Sequence, residues 1–235
     1  MKPRTGAAVQ AGGRPAYYYE QARPEVAALV PPECRRVLEV GCGVGELGRL
    51  LRSRGHHVTG IELVPEIAER ARLRLDHVET ADVETDGFPF PPASFDAIIF
   101  ADVLEHLIDP WRVLREAVGV LADGGVVVAS IPNVQNIDVL RRLFRGRWDY
   151  RERGILDRGH LRFFTLRTIR SLFVQAGLTL EHVGHRYRRR WWRELLCLLT
   201  AGRARALWTR QYLVVGRRYD RAASPGTSLP ALPLG

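Results

Sequence analysis

The stretch VLEVGCGVGELG, Val37 to Gly48, is a short apolar run that breaks into a glycine loop and continues into a helical pattern. Val37, Leu38 and Val40 read as a strand of a parallel sheet, covered on both faces. Gly41, Gly43 and Gly45 permit backbone conformations and close approaches that a Cβ would block, so the loop can bring main chain against a ligand. The next apolar strand, HHVTGIEL, carries Glu62 at its end. A carboxylate there can accept both hydroxyls of a ribose. Loop and acid together predict a nucleoside ligand.

Charge narrows the choice of nucleoside. Gly43, Gly45 and Gly48 also satisfy the dinucleotide-type G-x-G-x-x-G pattern. Glu46, however, stands in the first turn of the following helix, where a pyrophosphate would need bare N–H groups and the positive dipole end. S-adenosylmethionine has no phosphate, and acidic neighbours favour its ammonium and sulfonium. An NAD-type oxidoreductase is therefore disfavoured.

With Glu39, Gly41, Gly43 and Gly45 in an E-x-G-x-G-x-G loop, the chain resembles the class I, Rossmann-like S-adenosylmethionine-dependent methyltransferases from about Tyr17 to Arg217. Glu62 matches the ribose-binding acid of that family, and Asp82 with Val83 matches its adenine-holding pair. Ser94 to Pro110 looks like its fourth strand and loop, and Gly124 to Asn133 like its fifth. The resemblance also implies cofactor contacts at Leu63, Ala101 and Tyr18, the last from an N-terminal piece that folds over the methionine end. Its branch methylates small molecules such as quinone precursors, sugars and antibiotic scaffolds, releasing S-adenosylhomocysteine.

The chain has 235 residues, 46% of them hydrophobic, enough for one substantial core. Its three cysteines, Cys34, Cys42 and Cys197, lack metal spacing, so disulfides and structural zinc are not expected. No stretch approaches the roughly 20 apolar residues of a membrane span, and no signal-peptide core opens the chain, so a cytoplasmic location is expected. A formal charge of +9 raises nucleic acid or an anionic membrane as partners. Lys2 is the only lysine, and many arginines lie among acids on helices, which points to solvated faces and away from nucleic acid. The segment RYRRRWWR, Arg186 to Arg193, is the exception, and a binding module that keeps the fold and uses it at a membrane surface or nucleic acid is the alternative reading.

Strand and helix patterns alternate as in a doubly wound, mostly parallel α/β sheet of seven strands with helices on both faces. The last strand is antiparallel by resemblance. Residues 16–221 are expected to form one domain between mobile tails, 1–15 and 222–235. Trp111, Leu114, Val118 and Leu121 repeat at helical spacing and belong to the core.

Two connections carry the substrate question. Asn133 to Thr165, after the fifth strand, is far longer than the two to six residues usual there and is expected to form a lid. Its Asn133, Trp148, Tyr150 and Phe163 offer aromatic walls and a polar group for a small-molecule acceptor. An acceptor oxygen or nitrogen must lose a proton, and His160 and His106 are the candidate bases, with Asp157 placed to orient His160. Asp102 reads as a loop anchor, His56 and His57 as surface residues, and Cys42 as a small filler in the glycine loop.

Overall fold

A computed structural model describes residues 19–187 and 191–218. Tyr18, Arg188 to Arg190 and the two expected tails lie outside them. Seven strands form one sheet: β1 Arg36–Val40, β2 His57–Glu62, β3 His77–Thr80, β4 Phe95–Ala101, β5 Leu121–Pro132, β6 Leu178–Arg186 and β7 Gln211–Arg218. Their order is β3-β2-β1-β4-β5-β7-β6. The first five pair in parallel, whereas β7 runs antiparallel to both β5 and β6, as expected.

Alternation along the strands divides the core in two. Leu38, Ile98 and Val127 face one side, packing with Leu114 and Phe173. Their neighbours Val37, Ile99 and Val128 face the other, with Leu47, Leu51 and Ala68. Because successive side chains point to opposite faces, strands covered on both sides must be apolar almost throughout, which is the pattern β1 and β4 show. Helices α1 Pro24–Ala27, α2 Glu46–Arg52 and α3 Pro65–Arg72 accompany the second cluster; α4 Pro110–Val120 and α6 Leu166–Gln175 the first.

Local chemistry sets the helix starts. The Asp109 side chain accepts the Arg112 amide at 3.0 Å with Pro110 at the first helical position of α4, and Thr165 and Thr168 form a reciprocal capping box at α6. Of the four expected core positions at α4, Leu114 and Leu121 are fully buried and Trp111 and Val118 partly so. Leu121 already belongs to β5, which starts earlier than its apolar run suggested.

The long connections also contain helices: α5 Ile137–Leu143 after β5, and α7 Trp191–Leu199 with α8 Arg205–Trp208 between β6 and β7. Ile137 packs with Cys197, Ala204 and Trp208, joining the two connections on one side. The order of strands reverses between β1 and β4, and at the carboxyl ends of these strands the chain leaves a crevice, where open α/β sheets bind ligands.

Candidate active site

The glycine loop is shaped by the protein's own packing before any ligand is considered. Gly41, Gly43 and Gly45 have φ of 66°, 55° and 81°. A Cβ on Gly43 would lie 2.6 Å from the Tyr19 carbonyl oxygen, which accepts the Val44 amide at 3.1 Å. The residues before α1 are thus tied across the loop. Gly48 does the work of the third glycine in such motifs, letting α2 press on the sheet: a Cβ there would meet Leu75 Cδ2 at 2.3 Å and Val58 Cγ1 at 3.0 Å. Cys42 is buried and packs against Gly60, a filler as expected.

A cavity of about 450 Å³ opens beside this loop, lined by Gly41, Gly43, Leu63, Val83 and Ala101 among others. Its carboxylates are Glu39, Glu62, Asp82, Glu84 and Asp102. Glu62 accepts the Gly43 amide at 2.9 Å on one oxygen and the Val64 amide at 3.1 Å on the other. Burial still raises its pKa against those two bonds and a third from the Leu63 backbone. Burial pushes Glu39 up to about 8, and its Oε2 accepts no hydrogen bond. Gly45 caps α2 and does not line the cavity; nor does Glu46, which pairs with Arg49 at 3.2 Å and Arg74 at 3.1 Å. The acidity expected from Glu46 is supplied by the strand-end carboxylates.

A second cavity, about 670 Å³, adjoins the first. Gln21, Arg23, Asp102 and His106 line both. At this partition Arg23, in a left-handed conformation, ion-pairs with Asp102 and donates to Ser130 Oγ at 3.0 Å and Gln211 Oε1 at 3.2 Å. Asp102, also left-handed at φ 58°, takes further bonds from Ser130 and Gln211, so it anchors its loop as expected.

Beyond the partition the 3₁₀ turn Leu104–His106 meets the segment after β5. Leu161 and Arg162 amides donate to the Glu105 carbonyl at 2.8 and 3.0 Å. The His106 and His160 rings meet edge to face, 4.8 Å between centroids. Glu105 is 1% exposed, and neither carboxylate oxygen accepts a hydrogen bond. Burial first, and the charge of Asp102 next, hold its carboxyl well above the usual range.

A family model described as a methyltransferase domain matches residues 15–183. The chain belongs to the methyltransferase domain family. Among curated relatives, a ubiquinone biosynthesis O-methyltransferase of Xanthomonas campestris is 36% identical over 119 residues, 46% of this chain and 47% of its own length. The chain thus spans about half the length of the curated relatives it matches. Solved S-adenosylmethionine-dependent methyltransferases share the fold: one from Mesorhizobium loti has a TM-score of 0.60 at 20% identity, covering 85% of this chain and 99% of its own. Another, from Archaeoglobus fulgidus, has a TM-score of 0.64 at 16% identity, covering 84% and 95%.

The methyltransferase domain's first cavity fits S-adenosylmethionine on its own chemistry. Its acids suit a cationic ligand, and Glu62, held at the strand end by backbone amides, stands in the cavity wall where a ribose hydroxyl can reach it.

Other expected residues of the methyltransferase domain lie elsewhere. Asn133 is fully buried, donating to the Ala206 and Thr209 carbonyls at 2.8 and 2.9 Å, so it pins the start of the long segment to the β6–β7 connection. Trp148 and Phe163 meet edge to face at 5.2 Å, and Tyr150 is half exposed; none of the three lines either cavity. Asp157 accepts the Gly159 amide at 2.7 Å, and Glu105 Oε1 lies 3.9 Å from His160 Nε2. His56 is buried, its Nδ1 2.6 Å from the Cys34 carbonyl, and is not a surface residue. Gln21 and Glu105 escaped the sequence reading. The sequence VLEH holds the only hint of Glu105, since an acid in an apolar turn needs a partner.

Proposed function

We propose that this protein transfers a methyl group from S-adenosylmethionine to a hydroxyl oxygen of a small-molecule acceptor. The carrying observation is the pair of adjoining cavities, one acidic and flanked by the glycine loop, the other holding Glu105 and His160, with His106 on both. S-adenosylmethionine supplies the electrophilic methyl carbon when bound. Glu62 would hold its ribose, Asp82 and Val83 its adenine. The segment 133–165 closes one side of the second cavity through Gly154, Ile155 and Asp157, and can exclude water there. Holding acceptor oxygen and methyl carbon in line at about 3 Å supplies much of the rate by proximity alone. The wall formed by Glu105, His106 and His160 eases loss of the hydroxyl proton. The O-methyltransferase relative supports oxygen as the atom methylated.

The test is methyl transfer from labelled S-adenosylmethionine to a panel of phenols, sugars and amines, read by mass spectrometry. Products only from hydroxyl compounds support the reading, and transfer confined to amines overturns it.

A second reading concerns α7. Trp191, Leu195, Leu198 and Leu199 are exposed on one face, while Cys197 on the other packs against Ala204 and Trp208. We propose that this face, in a chain of net charge +9, rests on an anionic membrane surface. Among the described residues no helix is long and apolar enough to cross a membrane.

A further inference from the structure

We propose that a third cavity, next to the second, binds a phosphate or diphosphate group carried by the methyl acceptor, so that the substrate is a phosphorylated small molecule. The cavity holds about 620 Å³, and seven arginines line it against two aspartates, Asp138 and Asp149. Six of the seven belong to the run RRLFRGRWDYRER, residues 141–153, which starts on α5 and continues past it. The seventh, Arg210, directly precedes β7.

Gathering these cations costs repulsion, and the protein does not relieve it internally. Arg36, Arg52, Arg74 and Arg217 each pair with a carboxylate. By contrast, the guanidinium groups of Arg141, Arg142, Arg147, Arg151 and Arg210 make no ion pair or hydrogen bond among the described residues. The choice of arginine over lysine carries nothing in a chain whose only lysine is Lys2. What points to a ligand is the convergence of unpaired cations from separate segments on one concavity, where a single sign of charge focuses the potential and draws in an anion. Phosphate fits best, because its oxygens accept the guanidinium fork two N–H groups at a time.

The main chain fixes the segments that bring these side chains together. The Arg151 amide donates to the Leu156 carbonyl at 2.8 Å and its carbonyl accepts the Arg158 amide at 2.9 Å, which closes the turn between them. The Arg210 amide donates to the Arg186 carbonyl at 3.0 Å, and its carbonyl accepts the Asn133 amide at 3.0 Å. Backbone held in this way leaves less ordering for the ligand to impose.

Position ties the cavity to the acceptor, a role that rests on the methyl-transfer reading above. Arg153, Gly154, Ile155 and Arg210 line both this cavity and the second. The Ile155 carbonyl lies 3.0 Å from His160 Nδ1, so the strip of chain that the two cavities share touches the wall where the hydroxyl is methylated. One molecule can therefore span both, its hydroxyl beside His160 and its phosphate beyond Ile155 among the arginines. A nucleic-acid strand or a lipid surface would instead engage cations spread along a groove or a face.

The experiment uses the full chain with inorganic pyrophosphate as the probe, followed by titration calorimetry at about 0.15 M salt. Wild type should bind one pyrophosphate per chain. Arg142→Gln, Arg151→Gln and Arg210→Gln should each weaken binding by about tenfold, while Arg115→Gln, which removes the same charge from α4, leaves it unchanged. Thermal melts identify the folded variants, and Arg151 and Arg210 are exposed, so their replacement tests the site in a native fold. A second arm offers hydroxyl compounds as methyl acceptors in pairs, with and without a phosphate ester. The phosphorylated member should show a KM lower by about tenfold or more, and Arg151→Gln should raise that KM more than its partner's. The site is overturned by a wild type that does not bind pyrophosphate saturably, by folded variants that keep full binding, or by vesicle or RNA binding lost in these variants of a protein that ignores pyrophosphate. Equal KM values within every pair overturn the acceptor role. Pyrophosphate binding needs neither cofactor nor acceptor, so failure of the methyl-transfer reading shows separately, as a protein that binds pyrophosphate through these arginines and methylates neither member of any pair, which upholds the anion site alone.

Discussion

The Gly43 amide donates to Glu62 Oε2 at 2.9 Å, so the acid at the end of β2 closes the glycine loop at the end of β1. The same carboxylate is thus expected to serve loop and ribose together. Glu62→Ala should weaken S-adenosylmethionine binding by two charge-assisted bonds of about 1.5 to 3 kcal/mol each, and also lower Tm, because the Gly43 and Val64 amides lose their acceptor. Calorimetry with S-adenosylhomocysteine, beside a thermal melt, checks both. Unchanged affinity would refute the ribose role.

Glu39 gives a pH signature. Its carboxyl is raised to about 8 by burial, opposed by the Gly48 amide and reinforced by Glu62, with Cys42 also close. A carboxyl raised in the folded state is protonated there and ionised in the unfolded chain. Its stabilising contribution is present in full below about pH 4.5 and is lost as pH rises through about 8, at up to roughly 1.4 kcal/mol per pH unit inside that window. Denaturant melts between pH 5 and 8.5 should show this slope in wild type and a flatter one in Glu39→Gln. Parallel slopes would mean that Glu39 is already ionised.

Arg23 holds the partition between the cavities. Arg23→Ala would leave Asp102 facing Ser130 and Gln211 without its cation, and breaking such a pair costs about 3 kcal/mol, the low end for buried pairs because Asp102 is partly exposed. Urea melts measure the loss. A change within about 0.5 kcal/mol, the range of ordinary surface substitutions, would show that the network carries no stability.

Three glycines to alanine separate packing from backbone strain. Gly55 has φ 92° but open space around its Cβ position, so Gly55→Ala should cost only about 1 kcal/mol. Gly43→Ala adds contact with the Tyr19 backbone, which cannot rotate away, and should cost more stability and displace the chain before α1. Gly48→Ala meets flexible Leu75 but also Val58 and Glu39, and should fall between. Equal Tm changes in all three would remove the distinction.

For α7, cosedimentation with anionic vesicles at low salt should deplete wild type from solution, and Leu198→Glu should abolish that depletion. Zwitterionic vesicles should bind neither. Absence of wild-type binding to anionic vesicles ends the membrane reading.

Near-neighbour chemistry was legible in the chain itself. The strand, loop and helix from Val37 to Gly48, the acid at Glu62, the alternation of seven strands and the length of the segment after β5 all follow from local periodicity and turn residues, which depend on positions a few residues apart. The pairing of Glu105 with His160 was not legible. Fifty-five residues separate them, and their meeting depends on the segment after β5 folding back onto the turn that follows β4. The same holds for Arg23 with Asp102, and for Asn133, whose amide reads as a pocket group until Thr209 is seen beside it. Sequence alone determined which residues could build a nucleoside site on a parallel sheet; tertiary structure decided which polar groups face the cavities and which are consumed inside, because burial and partner choice are set by long-range packing that no local pattern records.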